Sequence, residues 1–436
     1  MKAVLLVLSG DPARAHDNLS ALIPEAAIAS LLRSEVEQTS YLKRLEILRR
    51  MRPDVFVVAT ERLAWQRGQN ALLLFGALAG AHRVMLVDAS GDIREETRTR
   101  ILSRTPLWLA AESAASARAV AHSRSRLKRL EQAIQLRVQA PGKKQGRPED
   151  EIHLAYLRST PSAGTLAGGA ATHINGFVNA VAELGAQVSV ISNDRIAGLD
   201  ETRLTLIDPE SVGTTRAAFD LRNNLIFSAG VLRELERQPV DLIYQRYGRF
   251  TWAGVEASIR TGVPLFLEYN GSEVWIGKHW DMSGMLPLLE RFERLNLLAA
   301  ARIFVVSEVE RRNLLRAGIE DEKIIVNPNG VDVEGFRPGL GGAAVRRELG
   351  VPEDETLAGF VGTFGPWHGV LTLAEAITML PENCRVRFLL VGAGRFRDEV
   401  ERIIGAAGRE RQVIFTGHVN HRRVPALLAA EELSAL

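Results

Sequence analysis

Short apolar runs alternate with helix-like amphipathic stretches along most of the chain. In the first 140 residues, three such runs are typical of buried strands and two intervening stretches of helices. These are Ala3–Leu8, Val55–Ala59 and Val84–Val87, with the helices Tyr41–Met51 and Gln69–Ala79. Because strands separated by helices pair in parallel, the pattern predicts an α/β domain. Its small number of strands makes residues 1–140 an accessory domain without an assigned chemistry.

The same alternation resumes after residue 150 with a glycine-rich connection. Strand Ile152–Leu157 is followed by the glycine-rich segment 164–173, helix Ile174–Leu184 and strand Val188–Ile191, which together predict one βαβ unit. The segment lacks the spacing Gly-x-Gly-x-x-Gly, which weakens a dinucleotide-binding interpretation. Further strands are predicted over 241–244, 263–268, 302–306 and 324–326. Residues 151–335 therefore form a second predicted domain.

A third predicted domain, residues 336–436, carries a glycine turn after each strand. The strands Leu357–Val361, Val386–Val391 and Val413–Phe415 are followed by glycines at 362, 392 and 417, respectively. The first turn ends at Gly369 and leads into a helix. A glycine loop before a helix N-terminus offers free backbone N–H groups to a phosphate. The sequence therefore predicts an anion site near the start of this domain.

The amino-acid composition excludes several classes of protein. The 436 residues are 46% hydrophobic and 24% charged with net charge +2, which excludes a disordered chain and a chain-wide affinity for polyanions. The length suggests two or three domains. The apolar run Ala71–Ala81 is too short to span a bilayer. The single cysteine, Cys384, excludes an internal disulfide and favours a reducing cytosol, so we expect a cytoplasmic protein.

A basic stretch separates the first two predicted domains. Arginine and lysine dominate Arg98–Arg147, and part of it, Pro106–Leu136, has a helical pattern. A basic amphipathic helix can lie on an anionic membrane surface. The alternative is a solvated helix that ends in a linker over 141–150, where proline, glycine and lysine predominate. Both interpretations stay open, so peripheral contact with the inner face of a membrane is one predicted partner interaction.

Two motifs carry a resemblance to a known family. Asn329-Gly-Val-Asp332 with Phe336 and Pro338, then the set Gly362, Phe364, Trp367, His368 and Gly369, resemble the domain junction of family 4 retaining glycosyltransferases. The resemblance extends over roughly residues 152–430. It implies an α/β GT-B fold, a pair of Rossmann-like domains that hold a nucleotide-sugar in a cleft, here preceded by an additional small α/β domain. It also implies transfer of a sugar from a nucleoside-diphosphate-sugar to a glycan or lipid-linked acceptor, with no metal or other cofactor and no nucleic acid partner.

The resemblance assigns donor-binding residues in the third domain. Its first loop would hold the donor diphosphate, and the turn after the third strand would border the nucleobase. The donor-binding candidates are Gly362, Thr363, Phe364, Gly369, Gly392, Arg395, Gly417, His418 and Val419. One departure concerns His368, which stands where the family usually has Lys. A neutral imidazole donates one hydrogen bond without a permanent charge, so backbone N–H groups must supply part of the stabilisation. His368 is nevertheless a catalytic candidate.

Further candidates lie in the second domain, at the carboxyl end of predicted strands, where parallel sheets bind ligands. Glu268 is either an acceptor-side base or a structural carboxylate that binds the backbone of its turn. The resemblance implies that Gly168 and Gly169 are acceptor or cleft residues. His173 follows them and is either a catalytic residue of the cleft or a surface or capped residue. Asn270 and Glu273 complete the predicted acceptor side. In the first domain, Asp88 and Asp92 either bind a ligand or cap a turn.

The C-terminal segment departs most from the family. The family continues past this point with a fourth strand and a helix with two glutamates, whereas the chain stops at Leu436. The sequence therefore predicts an incomplete, truncated C-terminal domain of three strands with one uncovered edge, and weak donor binding. Two alternative functions stay open: a non-catalytic remnant or binding module, and a nucleotide-sugar epimerase of the same fold.

Overall fold

The chain folds into two compact units, described here from a computed structural model. The structure describes residues 1–31, 40–139, 152–160, 169–280, 284–381 and 384–434. The units are Met1–Pro328 and Asn329–Leu436. The predicted boundary at residue 335 falls a few residues later. The predicted linker 141–150 lies outside the described residues.

The first unit begins with a five-stranded sheet in the order β2-β1-β3-β4-β5. All neighbours pair in parallel except β4 and β5, which are antiparallel. Apolar residues of β1, β3 and β4 are almost fully buried, so helices cover both faces of the sheet. The strands are β1 Lys2–Val7, β2 Ala27–Leu31, β3 Val55–Thr60, β4 Arg83–Asp88 and β5 Ile93–Thr97. The helices are Pro12–Leu22, Tyr41–Met51 and Gln69–Ala79.

A seven-stranded parallel sheet forms the rest of the first unit, in the order β12-β11-β10-β9-β6-β7-β8. Its strands are β6 His153–Arg158, β7 Gln187–Ser192, β8 Leu204–Leu206, β9 Leu242–Arg246, β10 Leu265–Tyr269, β11 Arg302–Val305 and β12 Ile324–Val326. Its helices are Gly169–Glu183, Arg216–Arg237, Ala253–Thr261, Glu273–His279, Leu286–Ala299 and Glu308–Arg316. The chain reverses its direction of travel across the sheet between β6 and β9, which is where such folds bind ligands.

One helix, Arg98–Gln139, packs against both sheets of the first unit. Near its start, Ile101 and Trp108 belong to the core beneath the first sheet. Farther along, Leu127, Leu130 and Ile134 belong to the core of the second. Part of the apolar surface of this long helix is thus buried in the protein, whereas Leu102, Leu107, Leu109 and Leu136 are exposed, and membrane contact stays a prediction. Most of its basic residues point to solvent.

The second unit contains a four-stranded parallel sheet in the order β15-β14-β13-β16. Its strands are β13 Thr356–Val361, β14 Val386–Val391, β15 Val413–Gly417 and β16 Leu433–Ser434. Its helices are Gly342–Glu348, Val370–Thr378, Arg397–Ala406 and Val424–Leu428. The expectation of three strands with an open edge beside β13 was wrong, because β16 pairs there, with Ala358 opposite Leu433.

No helix among the described residues combines the length and apolar character needed to cross a bilayer.

Candidate functional site

Glu268 lies at the carboxyl edge of the second sheet, near the end of β10. The strand is buried between β9 and β11, which leaves the Glu268 side chain only 4% exposed. A buried carboxylate requires partners that compensate for lost hydration. The neighbouring strand ends supply them.

Four side chains contact the Glu268 carboxylate. The Tyr156 hydroxyl donates to Oε2 at 2.8 Å, and Asn270 Nδ2 donates to Oε1 at 2.7 Å. Arg246, opposite Glu268 in the strand ladder, forms an ion pair with Oε1. His173 Nε2 lies 3.1 Å from the same oxygen. One of the two interpretations, a structural carboxylate bound to the backbone of its turn, is thus modified, because side chains make these contacts.

These contacts decide the ionisation of Glu268. Burial alone would raise its pKa, but His173, Arg246 and Asn270 outweigh burial and lower the pKa to about 2. A general base works best with a pKa near the operating pH. A lowered pKa disfavours proton abstraction by Glu268 near neutral pH, and its predicted role as an acceptor-side base stays a prediction. Its geometry indicates a fixed negative charge that orients His173.

His173 reaches Glu268 from the helix Gly169–Glu183, which follows the glycine-rich segment. Its Nε2 atom is buried beside the carboxylate without the geometry of a hydrogen bond, while about a quarter of the side chain (27%) is exposed. His173 thus lies against Glu268 at the carboxyl edge of the second sheet, and its predicted cleft role stays a prediction. Gly168 lies outside the described residues. A Cβ atom at Gly169 would meet nothing within 4 Å, so packing among the described residues does not require glycine there.

Glu273 begins the short helix after β10 and lies near a second group of carboxylates. Burial raises its pKa to about 7, and the negative charges of Glu293 and Asp220 act in the same direction against Arg249. Glu293 itself accepts hydrogen bonds from Ser272 at 2.7 Å and from the Tyr269 hydroxyl at 3.1 Å. Asn270 and Glu273, predicted together as acceptor-side residues, thus have different surroundings. Only Asn270 contacts Glu268.

Tyr156 and Arg246 were not among the predicted site residues. Both belong to strands that flank the point of reversal in the sheet, and the register sets Arg246 directly opposite Glu268. Arg246 is the last residue of β9, and Glu268 is the last but one of β10. Opposite charges at the ends of two consecutive parallel strands were therefore a usable signal.

In the second unit, the glycine turns after β13, β14 and β15 meet at the carboxyl edge of the sheet. Gly392 has φ +134°, and a Cβ atom there would lie 1.9 Å from the Gly362 carbonyl oxygen. The Gly392 N–H donates to the Gly417 carbonyl at 2.9 Å. A Cβ atom at Gly394 would lie 2.6 Å from the Phe364 carbonyl oxygen. Glycine is required at 392 and 394 because the turns touch backbone to backbone.

Side chains around these turns differ in exposure. Thr363, His368, Arg395 and His418 are exposed, and the Arg395 guanidinium lies 4.8 Å from the Phe396 ring centre. His368 folds back over Gly362, where a Cβ atom would come within 2.5 Å of its Nδ1 atom. Val419 packs against the core of this unit. Gly369, with φ +63°, starts the helix Val370–Thr378.

Phe364 departs from its predicted donor-binding role. Its side chain is fully buried in the core of the second unit. Its N–H donates to the Ala393 carbonyl at 3.0 Å, and its own carbonyl accepts the Phe396 N–H at 3.1 Å. Phe364 therefore supports the turn, and its polar backbone groups are already engaged.

Asp88 caps a turn, as one of the two interpretations expected. Its Oδ1 atom accepts the Ser90 and Asp92 N–H groups at 2.9 and 3.0 Å. Its Oδ2 atom accepts the Leu63 N–H at 2.9 Å. Among the described residues, no group of three His, Cys, Asp or Glu side chains is arranged to hold a metal ion. Independence from metal stays a prediction.

Comparison with known proteins relates both units to glycosyltransferases. Residues 167–334 match the family model described as Glycosyltransferase Family 4, and residues 343–436 match the model described as Glycosyl transferases group 1. D-inositol 3-phosphate glycosyltransferases of Mycobacterium tuberculosis and Mycobacterium bovis are 29% identical over 230 residues, 50% of this chain and 47% of theirs. The chain therefore spans about half the length of the curated relatives it matches.

Two solved structures show the fold. Sucrose-phosphate synthase from Thermosynechococcus elongatus aligns with a TM-score of 0.52 and 19% identity over 65% of this chain and 75% of that one. WaaG, a glycosyltransferase involved in lipopolysaccharide biosynthesis, aligns with a TM-score of 0.50 and 17% identity over 64% of this chain and 74% of that one. These likenesses confirm the predicted α/β fold with Rossmann-like, GT-B-type domains.

Proposed function

Since the chain belongs to glycosyltransferase family 4, we propose that it transfers a sugar from a nucleoside-diphosphate-sugar to a hydroxyl group of a glycan or lipid-linked acceptor. We further propose that the anomeric configuration is retained and that no metal is needed. In this reaction the bond between the anomeric carbon and the diphosphate breaks, and a bond to the acceptor oxygen forms. The acceptor proton leaves with the diphosphate.

The observation that carries this proposal is the meeting of the three glycine turns in the second unit. Within the described part of the chain, the N–H groups of Thr363, Ala393 and Gly394 donate to no other group. Such clustered donors at strand ends suit a diphosphate, whose charge grows as it departs. Exposed His368 and Arg395 add a hydrogen-bond donor and a permanent positive charge.

The acceptor side of the proposal rests on His173 and Glu268 in the first unit. An ionised Glu268 attracts the His173 imidazole across the 3.1 Å contact at Nε2, and we propose that the other ring nitrogen binds an acceptor hydroxyl. With a pKa of about 2, Glu268 does not take the acceptor proton at neutral pH. Its contribution is orientation and charge, and positioning of this kind can supply a large part of a rate enhancement.

The proposal also covers the cellular location of the protein and its contact with a membrane. We propose a cytoplasmic enzyme that can contact an anionic membrane through the exposed basic side of the long helix. Because Ile101, Leu127 and Leu130 of that helix are buried, such contact would be mainly electrostatic and would weaken with salt.

A donor panel tests the function. The protein is incubated with UDP-, GDP- and ADP-sugars, with and without EDTA, and nucleoside diphosphate release is measured together with donor binding by calorimetry. We expect release with one nucleotide class, unaffected by EDTA, and a product whose anomeric configuration by NMR matches the donor. Binding without turnover in the presence of glycan and lipid-linked acceptors would favour the binding-module alternative. Absence of both binding and release with every donor would refute the proposal.

A further inference from the structure

Arg62 connects the first sheet to the second sheet of the first unit. It follows β3, and its Nη1 atom donates to Asp194 Oδ1 at 3.0 Å, while Nη2 pairs with Asp208. The Asp194 side chain is 2% exposed and that of Arg62 is 21% exposed. A charge pair with one almost fully buried partner is costly to break from one side. The two sheets are therefore joined at this point by a specific ion pair.

Hydrogen bonds to residues of the first sheet and its connections fix the backbone next to Arg62. The Leu63 N–H is bound by Asp88, and the Leu63 carbonyl accepts the Gln69 side-chain amide at 2.8 Å. The next aromatic residue, Trp65, contacts Phe219 of the second sheet's helix layer with ring centres 6.1 Å apart. Arg62 thus extends from a fixed turn, so its reach toward Asp194 is preorganised.

Asp194 lies in the turn after β7. Hydrogen bonds connect this turn to the end of β6. The Asn193 side chain accepts the Thr160 N–H and donates to the Thr160 carbonyl, both at 2.9 Å. The Ser192 hydroxyl donates to the Asp194 carbonyl at 2.6 Å. Arg158, at the end of β6, donates to that hydroxyl at 3.3 Å. The turn 192–194 and the segment 158–160 therefore form one hydrogen-bonded assembly.

Strand β6 also carries Tyr156, whose hydroxyl donates to Glu268 Oε2 at 2.8 Å, so this strand contacts the acceptor side of the site directly. We propose that Arg62 is a positioning residue: through Asp194 and the turn 192–194, the N-terminal sheet fixes the end of β6 and hence the acceptor side of the site. This inference rests on the proposed glycosyl transfer. It gives the first sheet, which neither family model covers, a defined role.

The central variant is Arg62→Ala, with Arg62→Lys as the conservative change. A lysine keeps the charge but loses the fork that engages Asp194 and Asp208 at once. The matched control is Arg291→Ala. Arg291 makes a two-pronged ion pair with Glu131, at 2.9 and 2.7 Å, which also joins the long helix to the second sheet's helices but not to the turn 192–194.

Hydrogen exchange of the backbone is the first measurement, because it does not depend on activity. We expect Arg62→Ala to accelerate exchange about tenfold over 153–160 and 188–195, with Arg62→Lys intermediate. Arg291→Ala should leave both segments unchanged. Unchanged exchange there in a folded Arg62→Ala protein would overturn the inference.

Kinetics provide the second measurement. We expect Arg62→Ala to raise the KM for the acceptor about tenfold, with donor affinity unchanged and the acceptor KM partly restored in Arg62→Lys. Equal losses in donor and acceptor parameters would also overturn the inference. If the unmodified protein binds no donor and transfers no sugar, the proposed function fails. The hydrogen-exchange rates still decide whether Arg62 stabilises the turn 192–194 and the end of β6. The two failures are thereby distinguished.

Discussion

His173 Nε2 lies 3.1 Å from Glu268 Oε1, the same carboxylate oxygen that accepts Asn270 and pairs with Arg246. One buried oxygen therefore fixes a histidine, an amide and a guanidinium at the carboxyl edge of the sheet. Of these three residues, His173 lies on the helix Gly169–Glu183, which begins within the glycine-rich segment 164–173. Its orientation depends on a carboxylate that stays ionised throughout the physiological pH range.

The first prediction concerns Glu268→Gln. The amide can still accept a hydrogen bond but has no charge, so the hold on His173 and Arg246 weakens. We expect kcat/KM for transfer to fall by about ten- to a hundredfold, which corresponds to about 1.4–2.7 kcal/mol. Because the pKa of Glu268 is about 2, the pH–rate profile of the unmodified protein should show no step between pH 4 and 5 from this carboxylate.

Tyr156→Phe is the control for Glu268→Gln, since it removes one hydrogen bond to Oε2 without touching the oxygen that faces His173. Its loss of kcat/KM should be smaller. A Glu268→Gln protein with full activity would contradict the orienting role. A step near pH 4–5 that disappears in this variant would instead restore the base interpretation.

The second prediction concerns Glu273 and stability. Its pKa of about 7 exceeds the ordinary value of 4.5, so the folded protein binds this proton more tightly than the unfolded chain. The resulting stabilisation is fully present below about pH 4.5 and is lost as pH rises through 7. We expect the free energy of unfolding of the unmodified protein to fall, relative to that of Glu273→Gln, by roughly 1–3 kcal/mol between pH 5 and 8.

Denaturant unfolding at several pH values measures this difference. Glu236→Gln, an exposed carboxylate on the helix Arg216–Arg237, is the control and should follow the unmodified protein. Parallel pH curves for Glu273→Gln and the unmodified protein would contradict the prediction.

The third prediction concerns the contact between two glycine turns. In Gly392→Ala, the new Cβ atom would lie 1.9 Å from the Gly362 carbonyl oxygen, so the turns must separate. We expect donor affinity to fall at least tenfold and stability to fall by about 1–3 kcal/mol. Donor binding by calorimetry and thermal unfolding check the two effects.

Gly408→Ala separates backbone strain from the steric effect. Gly408 also has a positive φ, +67°, but a Cβ atom there meets nothing within 4 Å. This variant should lose about 1 kcal/mol of stability or less and keep its donor affinity. If both variants behave alike, close contact between the turns is not what positions the donor.

Sequence patterns predicted the central strands well because those strands are buried on both faces and continuously apolar. Strand β5 was missed because its residues, Ile93–Thr97, are mostly charged and form an exposed edge. Strands β8 and β16, of three and two residues, lack the unbroken apolar run by which the three-residue strand β12 was predicted. Edge strands depend on a partner already in place, and a local pattern does not contain that information.

The candidate site was predicted in part. Glu268 and His173 were singled out separately, and their contact appears only when β10 and the helix after β6 are folded together. Phe364 was misassigned because an aromatic residue in a glycine loop can face either ligand or core, and here it faces the core. Arg62 carried no local signal, since its partners are more than a hundred residues away in the chain.

The long helix Arg98–Gln139 has a consequence for the smallest fragment that can fold. Leu127, Leu130 and Ile134 fill the core of the second sheet, although the family match in this unit begins only at residue 167. A fragment trimmed to the matched region would leave that core open and its apolar surface exposed. The matched region that begins at residue 167 therefore shares its hydrophobic core with the helix Arg98–Gln139, which precedes it in the chain.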